Sequence, residues 1–153
     1  MNDYPCVVYD HECSGRSGGN VENVLFTNWV EDAMAVVNQL SEGPVVLVGS
    51  SLGGWLSLIT AAKLADRLHS LILFAPALNY VWPYYHQHKQ ALPPEVCSRL
   101  EQGDPHVHTH EYGDALIKKD FAADSRKYEI DLEKTLDIRL KHIIIISLSS
   151  RSS

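Results

Sequence analysis

Gly49-Ser50-Ser51-Leu52-Gly53 has the G-x-S-x-G spacing of a serine carried on a sharp strand-to-helix turn. A serine placed there can attack a carbonyl carbon through its Oγ. The backbone N–H of the next residue, Leu52, can then face the oxyanion that develops. Such a turn brings the chain close to itself, so small neighbours are required, and Gly49 and Gly53 are expected to supply the room. Five residues of common types are a weak pattern in isolation. Context strengthens it: the apolar run Pro44-Val45-Val46-Leu47-Val48 precedes the motif, and a helix-like stretch from Leu52 to Ala65 follows it. The plain alternative is a tight connection without chemistry.

Two other glycine-rich readings fail on single residues. Gly49 and Gly54 have the spacing of a phosphate loop, but Trp55 and Leu56 stand where Lys and Ser/Thr are required. A dinucleotide fingerprint needs a glycine where Ser51 stands. His106, His108 and His110 alternate, so an extended segment would turn all three one way, as a metal site would need. They sit between Pro105 and Gly113 with no carboxylate pattern beside them, and a solvated loop is the favoured reading. His86 and His88, among Trp82, Tyr84 and Tyr85, read as the rim of a pocket. Asp10 to Ser17 could form an anion-binding nest, though a turn after a strand is preferred. Cys6, Cys13 and Cys97 are widely spaced and form no C-x-x-C pair, which suggests reduced thiols. Neither a metal nor a cofactor is expected.

The elements that must position the serine follow from periodicity. Cys6-Val7-Val8-Tyr9 predicts a short strand, followed by a Gly/Ser-rich loop from Ser14 to Gly19. Leu25, Trp29, Ala33, Val36, Val37 and Leu40 recur at helical spacing within 21–40, and Gly43-Pro44 closes that helix. Residues 44–48 predict a strand buried on both faces, as in a parallel sheet, and His69 to Ala75 predicts a second. Alternating strands and helices point to an α/β layer. Residues 79–129 are rich in Tyr, His, Pro and charge. No strand is expected there, only weak helices around Glu95–Leu100 and Ala115–Phe121, as in a helical excursion over a site. Arg139 to Ile146 predicts a return to the sheet.

The chain has 153 residues, room for one domain. Its 13 basic and 19 acidic residues give a net charge of −6, which argues against a nucleic-acid partner. The apolar run Ile143–Ile146 is far short of the ~20 residues of a membrane helix, so no membrane span is expected. The first residues show neither a signal nor a transit pattern, leaving the cytoplasm as the default location.

From Tyr9 to about Ile138 the chain resembles the α/β-hydrolases. Within them it is most similar to the branch of mitochondrial palmitoyl-protein thioesterases and acyl-glucuronide esterases. Residues 9–19, Tyr-Asp-His-Glu-Cys-Ser-Gly-Arg-Ser-Gly-Gly, resemble the family's Asp-x-x-Gly-x-Gly-x-Ser stretch, with Cys13 in place of a glycine. Gly49 to Leu56 is similar to its elbow almost residue for residue, and Asp137-Ile138-Arg139 resembles the approach to the strand before the acidic triad member. The resemblance implies an α/β-hydrolase fold: a parallel sheet with a helical lid insertion. It implies Ser51 as the nucleophile of thioester and carboxylic-ester hydrolysis through an acyl-enzyme, with the Leu52 N–H in the oxyanion hole. It also implies an acyl ester or thioester substrate and a mitochondrial location.

The departures are specific. In the family an acid follows the strand matched by 140–146 and a histidine follows one strand later. No Asp, Glu or His follows His142 here, so no triad acid or histidine is identifiable. The family's third strand lies between its fourth and fifth, and nothing stands for it between Cys6–Tyr9 and Pro44–Val48. The expectation is a domain truncated at both ends relative to a full hydrolase, with impaired activity. The alternative is a non-catalytic remnant that binds an acyl ligand or a protein partner. Its expected parts are a sheet core with the elbow (1–78), a helical lid (79–137), a returning strand (138–147) and a disordered tail (148–153).

Overall fold

The computed structural model describes residues 5–110, 113–134, 138 and 142–146. Its first half runs α1 (Phe26–Leu40), β1 (Val45–Ser50), α2 (Leu52–Leu64) and β2 (Leu68–Phe74). An insertion follows with α3 (Val81–Gln90), α4 (Pro94–Gln102), β3 (His106–His110), β4 (Gly113–Ile117) and α5 (Lys119–Ser125), after which β5 (His142–Ile146) returns to the sheet. The sheet order is β1-β2-β5, all parallel, with Val48, Ile72 and Ile144 in one row and Ser50, Phe74 and Ile146 two rows further on.

One face of this sheet makes the core. Val45 and Leu47 of β1 and Leu71 and Leu73 of β2 pack on Val37, Leu58, Ala61 and Leu64 of the two helices. A second cluster, Phe26, Val30, Trp55, Leu56, Ile59 and Phe121, joins α1 and α2 to α5. The insertion has a small core of its own, Tyr85, Leu100, Ile117 and Ala122. The tyrosine and tryptophan run therefore divides by position. Tyr85 is buried, Trp82 and Tyr84 flank it, and Tyr80 is exposed.

Several expectations are corrected. Residues 5–10 form no strand: they are exposed and join no sheet ladder among the described residues, and Val8 is 90% accessible. β-branched side chains favour a strand only where a neighbouring edge and a packing surface exist. β1 is not buried on both faces. Val46 and Val48 are exposed, because α2 covers one side of the sheet and no described element covers the other. The first helix begins at Phe26, not near Val21. Asn20 takes the preceding amides for itself, its side chain accepting from Glu22 N–H (2.9 Å) and its carbonyl from Val24 N–H (3.0 Å).

The largest correction lies in the insertion, which holds an antiparallel hairpin, β3–β4, between its helices. His106–His110 is thus a strand and not a solvated loop. Residues 115–121, expected to be helical, divide into the end of β4 and the start of α5. The tail 147–153 and most of the 135–141 approach to β5 lie outside the described residues.

Candidate active site

β1 ends at Ser50, and Ser51 occupies the turn before α2 with φ of 51°, the left-handed region that costs a non-glycine residue on the order of 1 kcal/mol. Three main-chain bonds hold it there. The Ser51 N–H donates to the Phe74 carbonyl at 2.9 Å, continuing the sheet past its last residue. The Ser51 carbonyl accepts from Gly54 N–H at 3.0 Å and from Ala77 N–H at 2.9 Å. The conformation is thereby fixed from both the elbow helix and the segment leaving β2. That segment is itself anchored, since Ala75, with φ of 41°, donates its N–H to the Ile146 carbonyl at 2.7 Å.

The serine side chain is exposed at the carboxyl end of the sheet, the edge where α/β folds bind ligands. Leu52 is the first residue of α2, so its N–H belongs to the first-turn amides that have no partner within the helix. The glycine requirement is real but sits partly elsewhere than the spacing suggested. A Cβ on Gly49 would strike the Gly53 carbonyl and the Ser57 hydroxyl, and one on Gly54 would come within 2.8 Å of Pro76 Cβ. A Cβ on Gly53 would meet nothing within 4 Å. Gly49 and Gly54 allow the close approach; Gly53 does not contribute to it.

Among the described residues, no hydrogen bond joins Ser51 Oγ to a histidine or a carboxylate. Hollows of about 410 Å³ and about 270 Å³ occur, one lined by Tyr9, Asp10, Asp32 and Val36, the other by Leu58, Ile59, Tyr128 and Ile138. Ser51 lines neither. The site that can be drawn is one serine on a strained turn with a helix amide beside it.

The 10–19 loop takes the turn reading. The Asp10 carboxylate accepts from Arg16 N–H at 3.0 Å and its carbonyl from Ser17 Oγ at 2.6 Å, with Cys13 and Gly15 at positive φ. The carboxylate already occupies the concavity that an anion would need. His11 stacks on Trp29 with ring centroids 5.1 Å apart, and Asp32 lies 3.6 Å from its Nδ1. Burial pushes the His11 pKa below its usual value, outweighing the opposite pull of Asp32.

Residues far apart in the chain tie the insertion to the core. Lys118, almost fully buried, donates its Nζ to the carbonyls of Glu22 and of Val24, the latter at 3.0 Å. Asn79, with φ of 56°, brackets Ile130, donating to its carbonyl and accepting from its N–H, each at 2.8 Å. None of these was singled out from sequence. The one local hint was an Asn, a residue that tolerates left-handed backbone, just after the apolar β2 run. His88 faces His106 and His108 across the insertion, whereas His86 is exposed against Trp82. Among the described residues, no group of three or more His, Cys, Asp or Glu side chains is arranged to hold a metal ion.

A parallel sheet, a serine at positive φ between strand and helix, and glycines at its points of closest approach define an α/β-hydrolase. The model of the serine aminopeptidase family S33 matches residues 1–121, and the chain belongs to that family. It is 34% identical over 98 residues to the mitochondrial palmitoyl-protein thioesterase ABHD10 of Homo sapiens, an alignment covering 64% of this chain and 31% of the relative. With the Mus musculus protein of the same name the identity is 36% over 93 residues, covering 61% and 30%. The solved structure of mouse alpha/beta hydrolase domain-containing protein 10 superposes with a TM-score of 0.64 at 25% identity, over 89% of this chain and 54% of that one. The alignments with the curated relatives thus span about a third of those proteins. Its family is one of serine hydrolases. No helix among the described residues is long and apolar enough to cross a membrane.

Proposed function

We propose that Ser51 is the nucleophile of an acyl thioester or carboxylic-ester hydrolase, and that the Leu52 N–H stabilises its oxyanion. The observation that carries this reading is the Ser51 backbone, held at φ of 51° by three hydrogen bonds at the carboxyl end of β1. In the reaction Ser51 Oγ attacks the acyl carbon, the thiol or alcohol leaves with a proton, and water hydrolyses the resulting acyl-serine. The insertion 79–137 serves as a lid, with Tyr80, Trp82 and Tyr84 offering apolar surface to an acyl chain. The relatives are named as mitochondrial palmitoyl-protein thioesterases, which supports a long-chain acyl thioester as substrate and a mitochondrial location.

Activation of the serine needs a base, and among the described residues no histidine reaches it. Slow acylation is therefore part of the proposal. The same observation favours a second reading, a non-catalytic module that binds an acyl ligand or a protein partner. Incubation with a fluorophosphonate probe separates the two. The hydrolase reading expects covalent labelling of the chain that is lost in Ser51→Ala. A folded chain that takes up no label, or labels equally without Ser51, supports the binding module and overturns the nucleophile.

A further inference from the structure

Ser51 is not the only residue near the elbow with a left-handed backbone. Among the described residues, the non-glycines at positive φ include Ser51 (51°), Ala75 (41°) and Asn79 (56°), and one stretch of chain joins these three. That stretch is a strap from the end of β2 to the start of the insertion, and each of its residues is held. Ala75 N–H donates to the Ile146 carbonyl, and Pro76 lies against Gly54. Ala77 N–H donates to the Ser51 carbonyl at 2.9 Å, and Leu78 packs on both of the clusters that α2 shares. Asn79 turns its side-chain amide to Ile130, donating from Nδ2 to the carbonyl and accepting at Oδ1 from the N–H, each at 2.8 Å.

The far side of this clasp is tied to the same elbow. Trp55, fully buried in the first turn of α2, donates its Nε1–H at 3.2 Å to the carbonyl of Tyr128, two residues before Ile130. A closed circuit results. It runs from the Ser51 carbonyl to Ala77, along the strap to Asn79 and across to Ile130. From there it returns by Tyr128 and Trp55 to the helix that begins one residue after Ser51. A left-handed turn at a non-glycine residue persists only where its surroundings over-determine it. Two of the three bonds on Ser51 follow from the strand and the helix that it joins. The third, from Ala77, depends on where the strap lies, and Asn79 fixes the outer end of the strap. Asparagine suits the place because it tolerates left-handed backbone and carries a donor and an acceptor on one amide.

We propose that Asn79 is a positioning residue for Ser51. Its two-bond clasp on Ile130 fixes the strap, and the strap fixes the Ser51 carbonyl and with it the direction of Oγ. Displacing a reacting atom by about 1 Å can cost about a hundredfold in rate, so placement on this scale matters. The same circuit makes the neck of the insertion and the elbow one mechanical unit: the lid cannot shift at its root without moving the turn that carries the serine. The consequence for reactivity rests on Ser51 being the nucleophile; the coupling of Asn79 to the turn does not.

Asn79→Gly removes both side-chain bonds and still accepts a φ of 56°. Hydrogen exchange of the whole chain reads the coupling. The amides of Gly54 and Ala77, both bonded to the Ser51 carbonyl, are expected to lose about tenfold or more in protection, while those of Leu71 and Ile72 in the middle of β2 keep theirs. A clasp with a merely structural role would lower all four together or none. Asn79→Asp keeps an acceptor for the Ile130 N–H and loses the donor. It is expected to fall between glycine and the parent, and it carries the comparison if the glycine variant does not fold. With a fluorophosphonate probe, Asn79→Gly is expected to lower the maximal labelling rate about tenfold at an unchanged half-saturating concentration. Parent-like exchange at Gly54 and Ala77, a loss shared equally by Leu71 and Ile72, or labelling as fast as in the parent overturns the positioning role. A parent chain that takes up no label overturns the nucleophile instead, and the exchange comparison still decides Asn79.

Discussion

At the scale of single residues, the elbow turns on which backbone atoms come close, and its three glycines are not equivalent. Gly49 lies against the Gly53 carbonyl and Ser57, and Gly54 against Pro76, so Gly49→Ala or Gly54→Ala forces backbone to move. Overpacking of that kind costs about 1–3 kcal/mol. Gly53 has open space around its missing Cβ and sits in the first turn of α2, where alanine is the better helix former. Gly53→Ala is therefore expected to stabilise the chain by up to about 1 kcal/mol, a sign opposite to that of its two neighbours. Urea denaturation of the three variants checks the order, and a destabilised Gly53→Ala would contradict the packing at the turn. The position of Ser51 was legible from sequence because strand, small residues and helix are adjacent there. The distinction between Gly53 and Gly54 was not. It depends on Pro76, a residue from the far side of β2.

At the scale of elements, α1 shows how a helix end can be completed by a distant residue. Its N-cap position is Leu25, which has no side-chain oxygen to offer the first-turn amides. Asn28 supplies one acceptor by bonding Leu25 N–H at 2.8 Å. Asp124 of α5 supplies another: its Oδ2 accepts from Thr27 N–H and Thr27 Oγ1, each at 2.7 Å, and its Oδ1 pairs with Lys127. Burial alone would raise the Asp124 pKa, but the bonds to Lys127 and Thr27 outweigh it and hold the carboxyl below its usual value. Its contribution is thus present above about pH 4 and fades as pH falls through the depressed value. Asp124→Ala is expected to cost about 1–3 kcal/mol in denaturant unfolding near neutral pH, with Asp124→Asn recovering part by keeping an acceptor. Equal stability of Asp124→Ala and the parent would show that the cap is idle. No sequence window reveals this pair, because its members are 97 positions apart. The hairpin escaped for a different reason. Histidine counts as polar, so the inward face of His-Val-His-Thr-His looks solvated and the alternation reads with the wrong sign.

At the scale of the whole molecule, the first two strands of the sheet are apolar on both faces but buried on one, a difference that local hydrophobicity cannot express. Val45 and Leu47 point into the core, whereas Val46 and Val48 on the opposite face are 51% and 61% accessible. Register extends that face through Phe74, Ile144 and Ile146, all exposed, so the apolar surface runs across all three strands. β1 also ends the sheet order, leaving one edge of its backbone without a strand partner among the described residues. The three strands of the parallel sheet were legible as strands because their runs are largely apolar in both directions. Which direction is buried depends on where helices lie, and those helices are set by contacts between distant parts of the chain. A contiguous apolar face beside an open edge binds hydrophobic dyes and promotes association. Val48→Lys places a charge in the middle of this face without touching the core, so its effect on unfolding free energy should stay within about 0.5 kcal/mol. Its effect on the surface should be large: anilinonaphthalene sulfonate fluorescence and concentration-dependent light scattering are both expected to fall. Leu47→Lys, one residue away and directed into the core, should instead prevent cooperative folding, since it buries an unpaired charge. If Val48→Lys proved as damaging as Leu47→Lys, the face would be covered in solution and the two sides of the sheet would be equivalent.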